Sequence, residues 1–258
     1  MGTPGTMTDL PSTTLLAAYL PSGFSPIDLG ALIYFVLAWL GYGLSVGRLR
    51  GRMVSLSQIM NAQREEWARQ LIVRDNRVVD TTINASLQNG TAFFASTSLI
   101  ALGGVLTLSR SGDDVLNLFG TLPFGTIATR TTWEIKVAGL AVVFVYAFFK
   151  FAWAYRLFNY SAILLGTVPP KGSGASESAM LRAARRVAAM YTAAGLHFAR
   201  GQRAFFFALA YLGWFVSPYF LVASTTAVVF VMWRRQFVSE IRAILLADGA
   251  PPAEGSTP

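Results

Sequence analysis

Residues Val137–Tyr160 read VAGLAVVFVYAFFKFAWAYRLFNY, and no Asp or Glu occurs from Val137 to Leu165. A helix of that length crosses a hydrocarbon core of roughly 30 Å at about 1.5 Å per residue. Three other stretches share the pattern, because Gly30–Gly47, Gln88–Ser109 and Ala204–Trp233 also lack carboxylates. The whole chain of 258 residues is 53% hydrophobic and 13% charged, where a soluble domain carries about 25% charged residues. The fold class is therefore an all-α, polytopic membrane helix bundle with about four transmembrane helices, joined by amphipathic helices on the cytoplasmic side.

The expected organisation is a flexible tail over 1–25, a four-span membrane domain over 26–247 and a disordered tail over 248–258. The spans are placed at about 27–46, 89–109, 137–160 and 204–233. The first exits through Gly43-Leu-Ser-Val-Gly47, a small-xxx-small spacing that lets a neighbouring helix approach. Beyond Arg48, Arg50 and Arg52, apolar Leu56, Met60, Trp67 and Leu71 recur on one helical face. Ser55–Leu71 thus reads as an amphipathic helix, lying at the interface or packed on the protein's own underside. The second span is rich in Ala, Ser, Thr and Gly and is expected inside the bundle. The loop Arg110–Lys136 holds Asp113, Asp114, Glu134 and Trp133, the last read as an interfacial anchor. Pro169 and Pro170 precede a basic helical segment from about Glu177 to Arg203. The final stretch is about 45 Å long if helical and is interrupted by Pro218. One kinked span and a re-entrant pair around Ser217-Pro218 both fit it.

Charge orients the chain. Met1–Leu20 has neither Lys nor Arg, and the apolar run Leu15–Leu20 is too short for a signal-peptide core. Seven basic residues lie in Arg48–Arg77, three in Arg110–Lys136, six in Lys171–Arg203 and three after Trp233. Four crossings with the N-terminus outside put thirteen of these on the cytoplasmic side against six, as the positive-inside rule requires. Arg234 and Arg235 then fall outside, against the rule, and a re-entrant last segment would return them. The expected location is the bacterial cytoplasmic (inner) membrane. The net charge of +8 flanks apolar segments rather than forming one stripe, which favours anionic headgroups over nucleic acid as partner. With no cysteine in the chain, disulfides, thiol nucleophiles and thiolate metal sites are excluded. The sequons at Asn84, Asn89 and Asn159 lie on the inner face or at a span boundary and carry no meaning there.

Three stretches in order resemble one family. They are Thr91-Ala-Phe-Phe-Ala-Ser-Thr97, then Phe148-Phe-Lys-Phe-Ala152 with Arg156-Leu-Phe-Asn159, then His197-Phe-Ala-Arg-Gly-Gln-Arg203 running into Phe206-Phe-Ala-Leu209 and Trp214-Phe-Val-Ser-Pro218. Their spacing resembles the bacterial and plant membrane family catalogued as domain of unknown function 599, over roughly residues 30–235. The resemblance implies a four-span fold and no activity. The family pattern expects Pro ahead of the Trp and Gly before the later Pro, where this chain has Ala210 and Ser217.

Lys150 is the most unusual residue, a cation near the centre of a span, where charge costs at least about 2.5–3.5 kcal/mol. Tyr146 and Trp153 flank it at i−4 and i+3. It reads either as an anion or proton site, or as a lysine that snorkels or is bonded to polar atoms of another span. Arg156, His197, Arg200 and Arg203 gather near the cytoplasmic boundary and suit an anionic headgroup, with Gly201 letting a backbone or headgroup come close; plain positive-inside decoration explains them equally. His197 is the only histidine, so neither bis-His haem nor a His-based zinc site can be built within one chain. Asp80 with Asn84 reads as a cap or loop bond. The expectation is a non-catalytic accessory or scaffold protein without cofactor or metal, binding anionic lipid or a larger membrane complex, with other membrane proteins or a second copy of itself as further candidate partners. A small-solute transporter or channel with Lys150 in its path is the alternative, and a lipid-acting enzyme the third.

Overall fold

Each helix begins where a short polar side chain can take up backbone N–H groups that have no partner within the helix. The computed structural model describes residues 23–48, 55–74, 76–110, 112, 129–238, 240 and 244–245. The expected tails fall almost wholly outside them, as do Asp113 and Asp114. Ser25 and Asp28 cap α1 (Pro26–Arg48) reciprocally: Asp28 N donates to Ser25 Oγ at 3.1 Å and Ser25 N to Asp28 Oδ2 at 3.2 Å. Ser55 and Gln58 form the same box on α2 (Leu56–Gln70). Asn76 Oδ1 accepts the Val78 N–H at the head of α3 (Val78–Arg110), and Thr129 caps α4 (Arg130–Thr167). Ser176 caps α5 (Glu177–Val216), and Ser217 caps α6 (Pro218–Phe237).

Among the described residues, three helices are long and apolar enough by themselves to cross a membrane: Pro26–Val46 of α1, Val78–Arg110 and Arg130–Thr167. Their outward faces carry Leu37, Phe93, Ile100, Val142 and Phe149, all well exposed. Hydrocarbon, not water, is the medium in which such faces cost nothing. The architecture is a helical membrane bundle. Helices α3, α4 and α5 run antiparallel in turn. Gln88 Nε2 donates to Asn159 Oδ1 at 2.5 Å and Trp133 Nε1 to the Leu108 carbonyl at 3.3 Å across α3–α4. Phe144 meets Phe205 and Phe158 meets Tyr191 across α4–α5. Trp133 is thus buried, not an interfacial anchor, because its indole finds a carbonyl left free at the end of α3.

The stretch 204–233 is two antiparallel helices, not one kinked span. Ser217 adopts φ −165°, ψ 161°, an extended geometry open to any residue, so no glycine is required there. Pro218 lacks an N–H and cannot continue the α5 ladder. From that break α6 folds back along α5, with Ser224 Oγ donating to the Ala210 carbonyl at 2.7 Å. Small residues allow the approach: a Cβ on Gly213 would lie 2.8 Å from the Phe220 carbonyl oxygen. Helix α6 then runs beside α1 in the same direction, with Tyr34 and Thr226 hydroxyls 2.8 Å apart and Tyr42 Oη donating to the Met232 carbonyl at 3.2 Å.

At about 57 and 60 Å, α4 and α5 are twice the thickness of a hydrocarbon core. Their surplus forms a second core with α2, built on Leu71, Phe158, Leu165, Val187, Ala188 and Tyr191. Helix α2 packs on the protein's own underside, with Trp67 against Tyr191 at 4.7 Å between ring centroids. Two other glycines, unlike Gly213, accept large side chains rather than another backbone. Gly43 faces the Arg203 guanidinium and Gly201 the Phe151 ring, so neither serves the helix-to-helix or headgroup approach expected from sequence.

Candidate functional site

The expected cations occupy two places. On α5, Arg200 lies within electrostatic reach of both His197 and Arg203, and Lys150 of α4 within reach of His197. Lys150 Nζ stands over the Tyr146 ring at 5.1 Å, and the Arg203 guanidinium over Tyr42 at 5.2 Å. Two atoms of this group are enclosed without a hydrogen-bond partner, His197 Nδ1 and Arg203 Nε. Arg156 is one ring removed from His197, since the Trp153 ring it covers meets the imidazole edge-on at 6.3 Å between centroids. It is exposed, donates from Nε to Tyr160 Oη at 2.6 Å and lies over the Trp153 and Tyr160 rings. A convergence of Arg156, Arg200 and Arg203 on one site is therefore not formed, because Arg156 turns along its own helix and Arg203 toward α1.

Beside Arg203 opens a cleft of about 710 Å³ between α1, α2, α5 and α6. Its polar lining is Tyr42, Ser57, Gln202, Arg203, Arg235 and Gln236, with Glu240 also on the wall. Gln236 Nε2 donates to Ser57 Oγ at 2.9 Å, which ties α6 to the start of α2. A second groove of about 590 Å³ runs between α2 and α5 over an alanine-rich floor, with Glu65, Arg69 and Arg185 at its sides. Neither is lined by Lys150.

Two buried polar networks were not legible as such in the sequence. At the end where α5 turns into α6, Lys136 Nζ donates to the Trp214 carbonyl at 2.9 Å and stands 3.8 Å from Asp28 Oδ1. Trp214 Nε1 donates to the same Asp28 oxygen at 2.8 Å. The cause is local: in a continuous helix the N–H of residue 218 would serve the Trp214 carbonyl, and proline has none. Lys136 supplies that donor, so it is a buried structural group rather than a loop charge, and α1 contains the carboxylate that pairs with it. The readable signals were Asp28 three residues after Ser25, and the carbonyl that any helix-breaking proline leaves four residues behind.

At the opposite end Asp80 is fully buried, accepting from Trp67 Nε1 at 2.5 Å and Arg74 at 3.1 Å. Asn84, one turn on, accepts from Tyr191 Oη at 2.7 Å. Burial, then the Asp80 charge, pushes the Tyr191 phenol above its ordinary pKa. The pair expected as a cap thus welds α2, α3 and α5 together. Arg77 completes this end by donating to the carbonyls of Val168 at 2.6 Å and Pro169 at 3.1 Å just past α4, where no N–H remains to serve them. Among the described residues no three of His, Cys, Asp and Glu gather as metal ligands would.

Comparison with curated proteins and with solved structures gave no match. The sequence profile described as "Protein of unknown function, DUF599" matches residues 30–241, which include these groups apart from Asp28 and nearly the whole described bundle. The chain belongs to the DUF599 family.

Proposed function

We propose that this chain is a non-catalytic scaffold of the bacterial cytoplasmic membrane, with its N-terminus outside and its basic end seated on anionic lipid, crossing five times because the α5–α6 hairpin adds two passes, packed against the bundle, to those of α1, α3 and α4. The observation that carries the reading is the α5–α6 hairpin. It returns Arg234 and Arg235 to the end shared by the α1 C-terminus, α2 and the start of α5. With five crossings, sixteen of the Lys and Arg outside the spans fall on that side, against Arg110, Arg130 and Lys136 on the other. Lys136 of those three is buried beside Asp28. The misfit that four crossings leave at Arg234 and Arg235 is removed, as the positive-inside rule demands. Each basic residue near an anionic surface contributes about 1 kcal/mol of attraction. A transport role for Lys150 has less support, since its ammonium rests on the Tyr146 ring and neither cleft reaches it.

Single cysteines at Thr131, Ser173 and Glu240 test the arrangement in intact cells. A membrane-impermeant maleimide should label Thr131→Cys only, with Ser173→Cys and Glu240→Cys labelled after permeabilisation. External labelling at Glu240→Cys would refute the fifth crossing, and external labelling at Ser173→Cys the orientation.

A further inference from the structure

We infer that the cleft between α1, α2, α5 and α6 is a built binding site for a phosphate group, carried by an anionic phospholipid or free in solution. Two guanidinium groups line it, Arg203 from α5 and Arg235 from α6. Among the described residues neither forms an ion pair with a carboxylate. Like charges facing one low-dielectric space repel, and an anion between them turns that repulsion into two charge-assisted contacts. Arginine suits the task because its planar fork meets phosphate oxygens in a bidentate manner. Arg203 is already oriented for it: Tyr42 holds the guanidinium face and Gly43 leaves room beside it, while Nε is enclosed and unpartnered.

Neutral donors complete the lining. The Ser57 hydroxyl accepts from Gln236 and keeps its own hydrogen to donate, and Gln202 adds an amide. Glu240 is the single carboxylate among the lining residues, so the cationic groups outnumber it. The remaining walls are apolar, with Val46, Leu56, Phe94 and Phe206 among them. A volume of about 710 Å³ lies within the usual 300–1,000 Å³ of ligand pockets and leaves space beyond the phosphate for glycerol or the head of an acyl chain. This deepens the role proposed above by naming one anion site, and it rests on that role only for the leaflet the cleft faces.

The test uses the purified full chain in neutral detergent, so its outcome does not depend on orientation. Dihexanoyl-phosphatidylglycerol, inorganic phosphate and dihexanoylglycerol, which lacks the phosphate, are each titrated while binding is followed by native mass spectrometry and by the unfolding midpoint. The site requires phosphatidylglycerol to bind the parent chain and Arg182→Gln alike, and to lose about tenfold in affinity in Arg203→Gln and in Arg235→Gln, as expected for one charge-assisted contact. Competition by inorganic phosphate assigns the site to the phosphate group alone; its absence assigns it to the lipid headgroup. Should Arg203→Gln fail to fold, Arg235→Gln carries the test, since its side chain is exposed. Equal affinity in all four proteins, or equal binding of dihexanoylglycerol, overturns the inference.

Discussion

Lys136→Met removes the side-chain donor to the Trp214 carbonyl, together with the cation paired with Asp28. In the parent chain Lys136 Nζ lies 2.9 Å from that carbonyl and 3.8 Å from the Asp28 carboxylate, and it is almost fully buried. An unserved buried carbonyl costs about 1–3 kcal/mol, and breaking a buried ion pair from one side costs about 3–5 kcal/mol. The second figure is discounted here. Asp28 keeps the Trp214 indole at 2.8 Å and the Ser25 hydroxyl at 2.7 Å, and 3.8 Å is a loose ion pair. The expected loss is about 2–4 kcal/mol, or about 5–10 °C in the unfolding midpoint of a chain this size. The assay is thermal unfolding in detergent followed by tryptophan fluorescence, for Lys136→Met, Asp28→Asn and the double variant. The pair should couple, so that the double variant costs at least about 0.5 kcal/mol less than the two single losses together. A midpoint for Lys136→Met within 1 °C of the parent, or strict additivity, would refute the staple.

Gly201→Ala should cost about 1–3 kcal/mol, because its Cβ would meet the Phe151 ring at 2.7 Å; Gly104→Ala, which meets nothing within 4 Å, should be neutral or slightly stabilising, and equal midpoints for the two would contradict the packing. Tyr191→Phe should cost about 1–3 kcal/mol near pH 7 by stranding Asn84 Oδ1. The Tyr191 phenol is held above its ordinary value of about 10, so the stability it contributes is present below pH 10 and is lost as pH rises through the folded pKa. The gap between parent and Tyr191→Phe should therefore narrow above pH 10, and a gap that widens there sinks the assignment.

Composition and hydrophobic runs were enough to read the class of this protein. Segments without carboxylates, about as long as a bilayer core or longer, have one physical solution, because an unbroken apolar run of that length satisfies its backbone groups in hydrocarbon as a helix, whereas a barrel strand is shorter and alternates. Helix starts were equally local, since Ser25, Ser55, Ser176 and Ser217 each lie within reach of the N–H groups they cap. The number of crossings was not local. Pro218 announces that the α5 ladder must stop, but whether the chain then bends or reverses depends on what the next helix can lie against. Here the close approach at Gly213, the Ser224 bond to Ala210 and the companion face of α1 favour reversal. The polar networks needed the tertiary structure for the same reason. Lys136 and Asp28 are more than a hundred residues apart, and no local pattern says that a carbonyl orphaned by a proline will be served by a lysine from a different helix. Charge at a span boundary reads in sequence as exposed decoration; only packing decides which of those charges, Arg156 or Lys136, faces outward and which is enclosed.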